Sequence, residues 1–168
     1  MTPQQLEQKT YELLDNLKIE YEVYQHEPMF TIEAAEEMDK KIGVPICKNL
    51  FLSTRHSTEF YLLFMQGHKK FHSGTVSKKL KVPRLTFGKD EYMTQFLKVQ
   101  PGSVTPLSLF FDTENKVNLL VDSDVFKMEK ISVHPCVNTA TVVIKTSDFL
   151  EKILPACGHT YQEMNLEQ

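Results

Sequence analysis

Hydrophobic residues recur at helical spacing at the start of the chain, where one helical face carries Leu6, Leu13, Leu14 and Leu17. Thr2, Pro3 and Gln5 stand at the positions of an N-cap, a first-turn proline and a capping-box glutamine. This pattern predicts a first helix over residues 3–17. Later helices are predicted by caps and prolines: a short acidic helix after Thr31, helices over 75–80 and 89–98 separated by Pro83, and a last helix from Thr146 to Pro155.

Runs rich in β-branched and aromatic residues predict the strands. Residues 46–53 and 58–66 are strongly apolar and are joined by Thr54-Arg-His-Ser57, which indicates a central antiparallel hairpin. Residues 107–111 and 117–121 flank a polar turn and predict a second hairpin. The other predicted strands are 21–26, 130–133 and 139–145, and the polar tail after Gly158 is predicted to be loose.

These elements alternate without a strict βαβ rhythm, and neither a repeat nor a linker divides the chain. We therefore expect an α+β fold in a single domain over residues 1–168, with a mixed, mostly antiparallel sheet and flanking helices.

Composition narrows the class of protein. The chain has 168 residues, 41% of them hydrophobic, which allows a core without disulfides or a structural metal. Its apolar runs are far shorter than the ~20 residues of a membrane span, and we expect no secretory leader. The three cysteines are odd in number and widely spaced, which indicates a reducing compartment. We expect a cytoplasmic monomer that does not bind membranes.

Charge is unevenly distributed along the chain. The formal net charge of −3 disfavours a polyanionic partner, but residues 1–40 hold ten of the 22 acidic residues and three bases. Residues 68–89 hold seven lysines and arginines and no acidic residue. Such a stretch can contact phosphates, although charged runs are also common as plain solvated surface.

The common hydrolase and cofactor motifs do not occur in the sequence. Ser103 lacks the glycine pattern of a nucleophile elbow, and no phosphate-binding or dinucleotide-binding glycine motif is found. His68 and His72 have the spacing of a helical metal site, but no acidic residue follows until Asp90, so we expect no metal and no cofactor. Two thiol dyads stay open at this point: Cys47 with His56 and Cys136 with His134.

Three segments concentrate polar groups in a way that suits a binding site. Lys48 interrupts an apolar strand, and lysine is rarely buried without a partner. Gly102 and Pro106 bound a short loop whose backbone N–H groups can face an oxygen ligand. The range 134–141 brings polar side chains to a strand entrance. Taken singly, each segment also fits a structural role as an edge-strand lysine, a loop or a strand cap.

In combination, these segments resemble the YbaK/ProX family of aminoacyl-tRNA editing deacylases, and within it the ProXp-ala (PrdX-like) branch. The likeness runs over about residues 5–155, with the motifs in the family's order. The matching motifs are Tyr24-Gln-His-Glu-Pro-Met-Phe-Thr31, Ile46-Cys-Lys-Asn-Leu-Phe-Leu52, Arg84-Leu-Thr-Phe-Gly88, Val99-Gln-Pro-Gly-Ser-Val-Thr-Pro-Leu107 and His134-Pro-Cys-Val-Asn-Thr-Ala-Thr141.

The resemblance implies a YbaK-like fold and a trans-editing enzyme that hydrolyses the ester of mischarged Ala-tRNA(Pro), with water as the nucleophile. Its catalytic set would be Lys48, which positions the aminoacyl-adenosine, Gly102, which shapes the loop at the aminoacyl carbonyl, and His134. Further substrate contacts would come from Asn49, Ser103, Asn138 and Thr139. Met29 and Phe30 are added as pocket residues because they are apolar and lie in a matching motif. Lys78, Lys79, Lys81 and Arg84 would contact the tRNA, and prolyl-tRNA synthetase is a possible second partner.

This chemistry suits a sequence without a catalytic triad. An aminoacyl ester is already activated and carries a vicinal ribose hydroxyl, so orientation and oxyanion stabilisation can suffice. A pocket built for proline rejects alanine weakly, because each missing methylene is worth only about 1–3 kcal/mol. Two alternatives stay open: editing of Cys-, Ser- or Thr-tRNA, and a non-catalytic module that binds tRNA or a synthetase.

Overall fold

The computed structural model describes residues 1–167. Its helices are α1 (Pro3–Asn16), α2 (Ile32–Ile42), α3 (Ser73–Leu80), α4 (Asp90–Leu97), α5 (Thr146–Asp148) and α6 (Leu154–Cys157). Its strands are β1 (Tyr21–Gln25), β2 (Cys47–Ser53), β3 (Phe60–Gln66), β4 (Thr86–Phe87), β5 (Val117–Asp122), β6 (Lys130–Val133), β7 (Ala140–Lys145) and β8 (Tyr161–Met164). Two 3-10 helices cover Pro106–Phe111 and Ser123–Lys127, and a π-helix covers Phe149–Ile153.

Within residues 1–167 the strands form two sheets. The three-stranded sheet has the order β1-β7-β6 and is antiparallel throughout. The five-stranded sheet has the order β4-β2-β3-β5-β8, antiparallel from β4 to β3 and parallel from β3 to β8. A parallel bridge between Ile46 and Ser132 links the two sheets. The α+β class with a mixed sheet and flanking helices is confirmed, although the strands divide between two sheets.

The central hairpin of β2 and β3 is confirmed, and it divides the core in two. Residues with even numbers in β3, such as Phe64, pack with the three-stranded sheet, α1 and α4. Odd-numbered residues, such as Leu63, pack with α3 and the C-terminal strand. Side chains alternate between the two faces of a strand, so the hairpin is buried on both sides. This explains why its sequence is an almost continuous apolar run.

The predicted N-terminal elements are confirmed in detail. The Thr2 hydroxyl accepts from the Gln5 N–H at 3.1 Å, and the Thr2 N–H donates to Gln5 Oε1 at 2.8 Å, which is a capping box. Thr31 caps α2, since its hydroxyl accepts from the Ala34 N–H at 3.1 Å. The helices α3 and α4 also lie where the sequence predicts them.

The predicted second hairpin is wrong. Residues 106–111 form a 3-10 helix because Pro106 starts it and the Thr105 hydroxyl accepts from the Leu107 N–H at 3.3 Å. Strand β5 instead pairs in parallel with β3 and β8, in the interior of the larger sheet. Its burial on both faces is the reason why its sequence is so apolar.

The prediction for the C-terminus is also wrong in two respects. Pro155 does not end the last helix, because the helical backbone runs through it from Thr146 and the turn before it is π-helical. The helix ends at Gly158, with φ of 70°. The tail is not loose, since β8 pairs with β5. Buried His159, just before β8, is held by Asp112, with Nε2 to Oδ2 at 2.9 Å.

Candidate functional site

One end of the three-stranded sheet gathers the polar residues of two predicted motifs. The loop 134–139 connects β6 to β7, and His26 directly follows the paired strand β1. The His26 N–H donates to the Thr139 carbonyl at 3.0 Å. The His26 Nδ1–H donates to the Glu27 carbonyl at 2.8 Å, and Nε2 forms a hydrogen bond of 2.8 Å with the Thr141 hydroxyl. His26 thus belongs to this end of the sheet. The sequence places it in the motif Tyr24–Thr31 but does not predict its contacts with Thr139 and Thr141.

His134 lies in the same cluster, with its ring 6.2 Å from the His26 ring. Its Nδ1 lies 2.9 Å from the Ala140 carbonyl oxygen, which can only accept, so Nδ1 carries the proton. Burial lowers the pKa of His134 below its usual value of 6.5, and the nearby His26 adds to the effect. The ring is therefore neutral at pH 7, with Nε2 as a hydrogen-bond acceptor.

The Gly102 loop meets the loop 134–139. Gly102 has φ of 88°, a left-handed conformation that favours glycine, and a Cβ at this position would lie 3.7 Å from Asn138 Nδ2. The next residue, Ser103, is buried and lines a cavity of about 110 Å³ together with Cys136. Two of the three segments singled out in the sequence are thus in contact.

Lys48 is connected to this region through the backbone. Residues 46 and 132 form the parallel bridge between the sheets, and Lys48 and His134 each lie two residues beyond it on the same side. The Lys48 side chain is half-buried, and its Nζ donates to the Lys69 carbonyl oxygen. That bond holds the ammonium group beside the segment that follows β3.

Lys69 belongs to the acid-free stretch that can contact phosphates by its sequence, but in the structure its side chain is not available to a phosphate. It is 4% exposed, and its Nζ lies 2.8 Å from Asp122 and 2.7 Å from Asp124. Burial alone would lower the pKa of Lys69, but the two carboxylates raise it. Asp122 also accepts from the Gln66 N–H at 3.2 Å, so the network fixes the segment that holds Lys48.

The remaining predicted substrate contacts have different positions. Asn49 is on the opposite face of β2 from Lys48, and its Oδ1 is buried without a hydrogen-bond partner. Thr139 is exposed at the end of the site, Met29 is half-buried, and Phe30 is 87% exposed. An unpartnered buried amide oxygen is costly in a folded protein, which makes Asn49 a candidate for binding a donor.

The four cations predicted to contact tRNA are all exposed. Lys78 and Lys79 lie in the last turn of α3, Lys81 caps its C-terminus with φ of 59°, and Arg84 precedes β4. We call Lys78, Lys79, Lys81 and Arg84 the basic patch. A phosphate backbone can reach these side chains from solvent, unlike that of Lys69.

Burial of the thiols argues against the two thiol dyads. Burial raises the pKa of each cysteine thiol to about 12, so the thiolate is disfavoured at neutral pH. The histidine pair 68 and 72 does not share a helix, because α3 begins only after its N-cap His72. In the part of the chain that the structure describes, no group of three His, Cys, Asp or Glu residues could hold a metal ion.

Two larger clefts are lined by other residues. One of about 540 Å³ is bordered by the end of α2 and by β7, and one of about 520 Å³ by β5 and β8. Neither is lined by Lys48, Gly102 or His134. The candidate site therefore lies where the two loops meet and not in either of these clefts. No helix in residues 1–167 combines the length and the apolar character needed to cross a bilayer.

Comparison with known proteins gives a consistent result. The family model for the aminoacyl-tRNA editing domain matches residues 26–152. The chain is 33% identical over 153 residues to the prolyl-tRNA editing protein ProX of Acetoanaerobium sticklandii, covering 91% of this chain and 93% of that protein. It is 31% identical over 163 residues to prolyl-tRNA synthetase associated domain-containing protein 1 of Mus musculus, covering 95% of each.

Solved structures agree at the level of the fold. A crystal structure described as a candidate trans-editing enzyme for prolyl-tRNA synthetase superposes with a TM-score of 0.71 at 15% identity, covering 100% of this chain and 99% of the other. The hypothetical protein APE2540 superposes with a TM-score of 0.69 at 16% identity, over 92% and 97% of the two chains.

Proposed function

Since the chain belongs to the aminoacyl-tRNA editing domain family, we propose that it is a trans-editing deacylase that hydrolyses Ala-tRNA(Pro). Two relatives bear names that refer to prolyl-tRNA editing and to prolyl-tRNA synthetase, which supports proline tRNA as the carrier. The reaction breaks the ester bond between alanine and the terminal ribose, with water as the nucleophile.

The meeting of the Gly102 loop with the loop 134–139 carries this proposal. Gly102 lies beside Asn138, and His134 is held in the same loop by its bond to the Ala140 carbonyl. Backbone N–H groups of a loop bounded by glycine and proline can stabilise the oxyanion that forms at the ester carbonyl. We assign Gly102 to that role and Asn138 to the wall of the amino-acid pocket.

Lys48 binds and orients the terminal aminoacyl-adenosine in this proposal. An ammonium group has three N–H donors, and one of them is used by the Lys69 carbonyl. The other two can donate to a phosphate or ribose oxygen of the substrate. Holding the ester in one orientation toward water raises the rate of hydrolysis strongly, because the reactants no longer have to meet by chance in the productive geometry.

His134 recognises the amino acid. Its neutral ring offers Nε2 as an acceptor, since Nδ1 donates to Ala140. The α-ammonium group of alanine is a fitting donor for that nitrogen. Ser103, Thr139, Met29 and Phe30 complete the proposed contacts. Asn49 is left out of them, because its buried Oδ1 lies on the opposite face of β2 from Lys48.

The basic patch contacts the acceptor stem, and prolyl-tRNA synthetase is the proposed source of the mischarged tRNA. We place the reaction in the cytoplasm, where a reducing environment keeps the three cysteines free, as they are in the structure. We also propose that the protein acts as a single domain and a monomer.

A deacylation panel tests the function. Proline tRNA is charged with alanine, serine, cysteine or proline, and hydrolysis is followed with wild type, Lys48→Ala and Lys48→Met. We expect the wild type to hydrolyse the alanyl ester faster than the other three esters. Both substitutions lower the rate at least about 100-fold, a typical cost of losing one positioned donor. Lys48→Met keeps the aliphatic stem, so it separates charge from packing.

Lys116→Met is the matched control, because Lys116 is an exposed lysine. If the cysteinyl or seryl ester were hydrolysed fastest, that amino acid would replace alanine in the proposed substrate. Hydrolysis of none of the esters, with tRNA binding intact, would establish a binding module in place of an enzyme.

A further inference from the structure

The edge strand of the five-stranded sheet presents an aromatic surface that the proposed chemistry does not use. Phe87 in β4 is 65% exposed, and its ring lies 5.7 Å from that of Phe71. Phe71 packs against the core on one side, so the pair is anchored although Phe87 faces solvent. We call Phe71 and Phe87 the aromatic platform.

The platform is on the same face of the sheet as Lys48. Phe87 pairs directly with Leu52 across the antiparallel strands, and such partners point to the same face. Leu52 and Lys48 are both even-numbered residues of β2, so they share that face as well. Leu52 is four residue steps along the strand from Lys48, which corresponds to about 13 Å.

Strand β4 is held firmly against β2. The Gly88 N–H donates to the Phe51 carbonyl at 2.8 Å. A Cβ at Gly88 would come within 2.4 Å of the Phe51 ring, so glycine is required for this close approach. The exposed ring of Phe87 is therefore fixed by the sheet rather than by a mobile loop.

The chain around the platform is rich in cations, with one carboxylate, Glu167, at the cavity beside Phe71. No acidic residue occurs between positions 68 and 89, and the exposed cations Arg84 and Lys89 flank Phe87 in sequence. The cavity beside Phe71 measures about 60 Å³, far below the roughly 300–1,000 Å³ of enclosed ligand pockets. A flat ligand with a negative charge can therefore stack on the surface but cannot be enclosed.

From these observations we propose that the aromatic platform stacks an unpaired nucleotide of the tRNA 3′ end, upstream of the aminoacyl-adenosine bound at Lys48. Aromatic rings between cations suit single-stranded nucleic acid, because every base has a π-face and every nucleotide a phosphate. This inference rests on the proposed function, and it adds a second contact on the same strand of RNA.

Binding of uncharged proline tRNA with an intact 3′ end is compared with binding of the same tRNA lacking the terminal CCA. Wild type should prefer the intact tRNA. Phe87→Ala should reduce that preference by about fivefold or more, since stacking is worth about 5- to 150-fold per base. Phe87→Trp should retain it, because indole also stacks. The salt dependence of binding should be unchanged in Phe87→Ala, because no phosphate contact is lost.

Tyr161→Ala is the matched control, because Tyr161 is a 43% exposed aromatic residue on β8, the opposite edge of the same sheet. It should keep the full preference. A preference that survives Phe87→Ala, or equal losses for intact and truncated tRNA, would overturn the platform; equal losses would indicate a protein or stem contact instead. A wild type that deacylates no substrate of the panel refutes the function, which is a separate result.

Discussion

Lys48 donates to a backbone carbonyl, whereas the nearby carboxylates pair with Lys69. Asp122 and Asp124 are both bound by Lys69, and Lys48 donates to the Lys69 backbone. At the scale of single residues, this arrangement gives the two lysines different surroundings. Lys69 is buried in a structural ion pair, and Lys48 is the lysine that the proposed function assigns to the substrate.

The pH dependence of deacylation should report on His134. Its pKa lies below 6.5 because of burial, so the neutral acceptor persists through mildly acidic pH and is lost only as the pH falls through the lowered value. We expect the acid limb of kcat/KM, after subtraction of spontaneous hydrolysis, to have its midpoint below 6.5. His134→Ala should lose most activity together with this limb.

His56→Gln is the control for that profile, because His56 is exposed in the turn between β2 and β3. It should leave both the rate and the midpoint unchanged. A midpoint at or above 6.5 in the wild type would contradict the assignment of a buried neutral histidine.

At the scale of elements, the C-terminal strand depends on one buried carboxylate. Asp112 accepts from the Lys116 N–H at 3.0 Å, from the Val117 N–H at 2.8 Å and from His159. These bonds join the 3-10 helix, the start of β5 and the segment before β8. Burial by itself would raise the pKa of Asp112, but the bonds from His159 and the backbone lower it below 3.8.

Asp112→Asn should therefore destabilise the fold by about 2 kcal/mol at neutral pH, the order of lost hydrogen bonds to a charged group. Because the folded-state pKa is depressed, this contribution is complete above pH 3.8 and is lost as the pH falls through the folded-state pKa. Urea unfolding at pH 7, 5 and 3 measures it.

The difference between wild type and variant should be constant from pH 7 to 5 and smaller at pH 3. Glu114→Gln, an exposed carboxylate in the same turn, should show little difference at any pH. A difference that grows toward acid would contradict the lowered pKa.

At the scale of the whole molecule, the net charge of −3 hides a division between acidic and basic regions. The first 40 residues carry ten acidic residues, whereas the basic patch and the aromatic platform come from residues 71–87. Long-range repulsion from the acidic part should make tRNA binding weak and readily reversible, with the patch supplying the salt-dependent part.

Replacing the four patch residues by glutamine should weaken tRNA binding at low salt and reduce the slope of log K against log salt by up to about 3, because each lost phosphate contact removes nearly one counterion. Binding titrations between low and physiological salt measure the slope. Four exposed lysines elsewhere provide the control: Lys9, Lys116, Lys130 and Lys145. If this control set reduced the slope equally, the RNA would bind by general charge and not at the patch.

Local signals in the sequence predicted most elements. The capping box at Thr2, the cap at Thr31 and the apolar runs of β2 and β3 depend on neighbouring residues, so they can be read without a tertiary structure. The family resemblance identified the segments of the candidate site in the same way, since each motif is contiguous. The meeting of Gly102 with Asn138 was implied only by that resemblance.

Tertiary structure decided the features that depend on distant partners. Strand β5 pairs in parallel with β3, because burial on both faces outweighs the local turn signal before it. The polar tail forms a strand on β5, and the Asp112–His159 pair holds the segment that precedes it. Lys69 and Lys70 are adjacent and equally basic in sequence, yet Lys69 is buried because two aspartates from another part of the chain face it. Sequence thus determined the elements and motifs, since their energies are local. Contacts between residues far apart in the chain decided the strand order and which charged side chains are buried. They also placed Lys48 and Phe87 on the same face of the sheet.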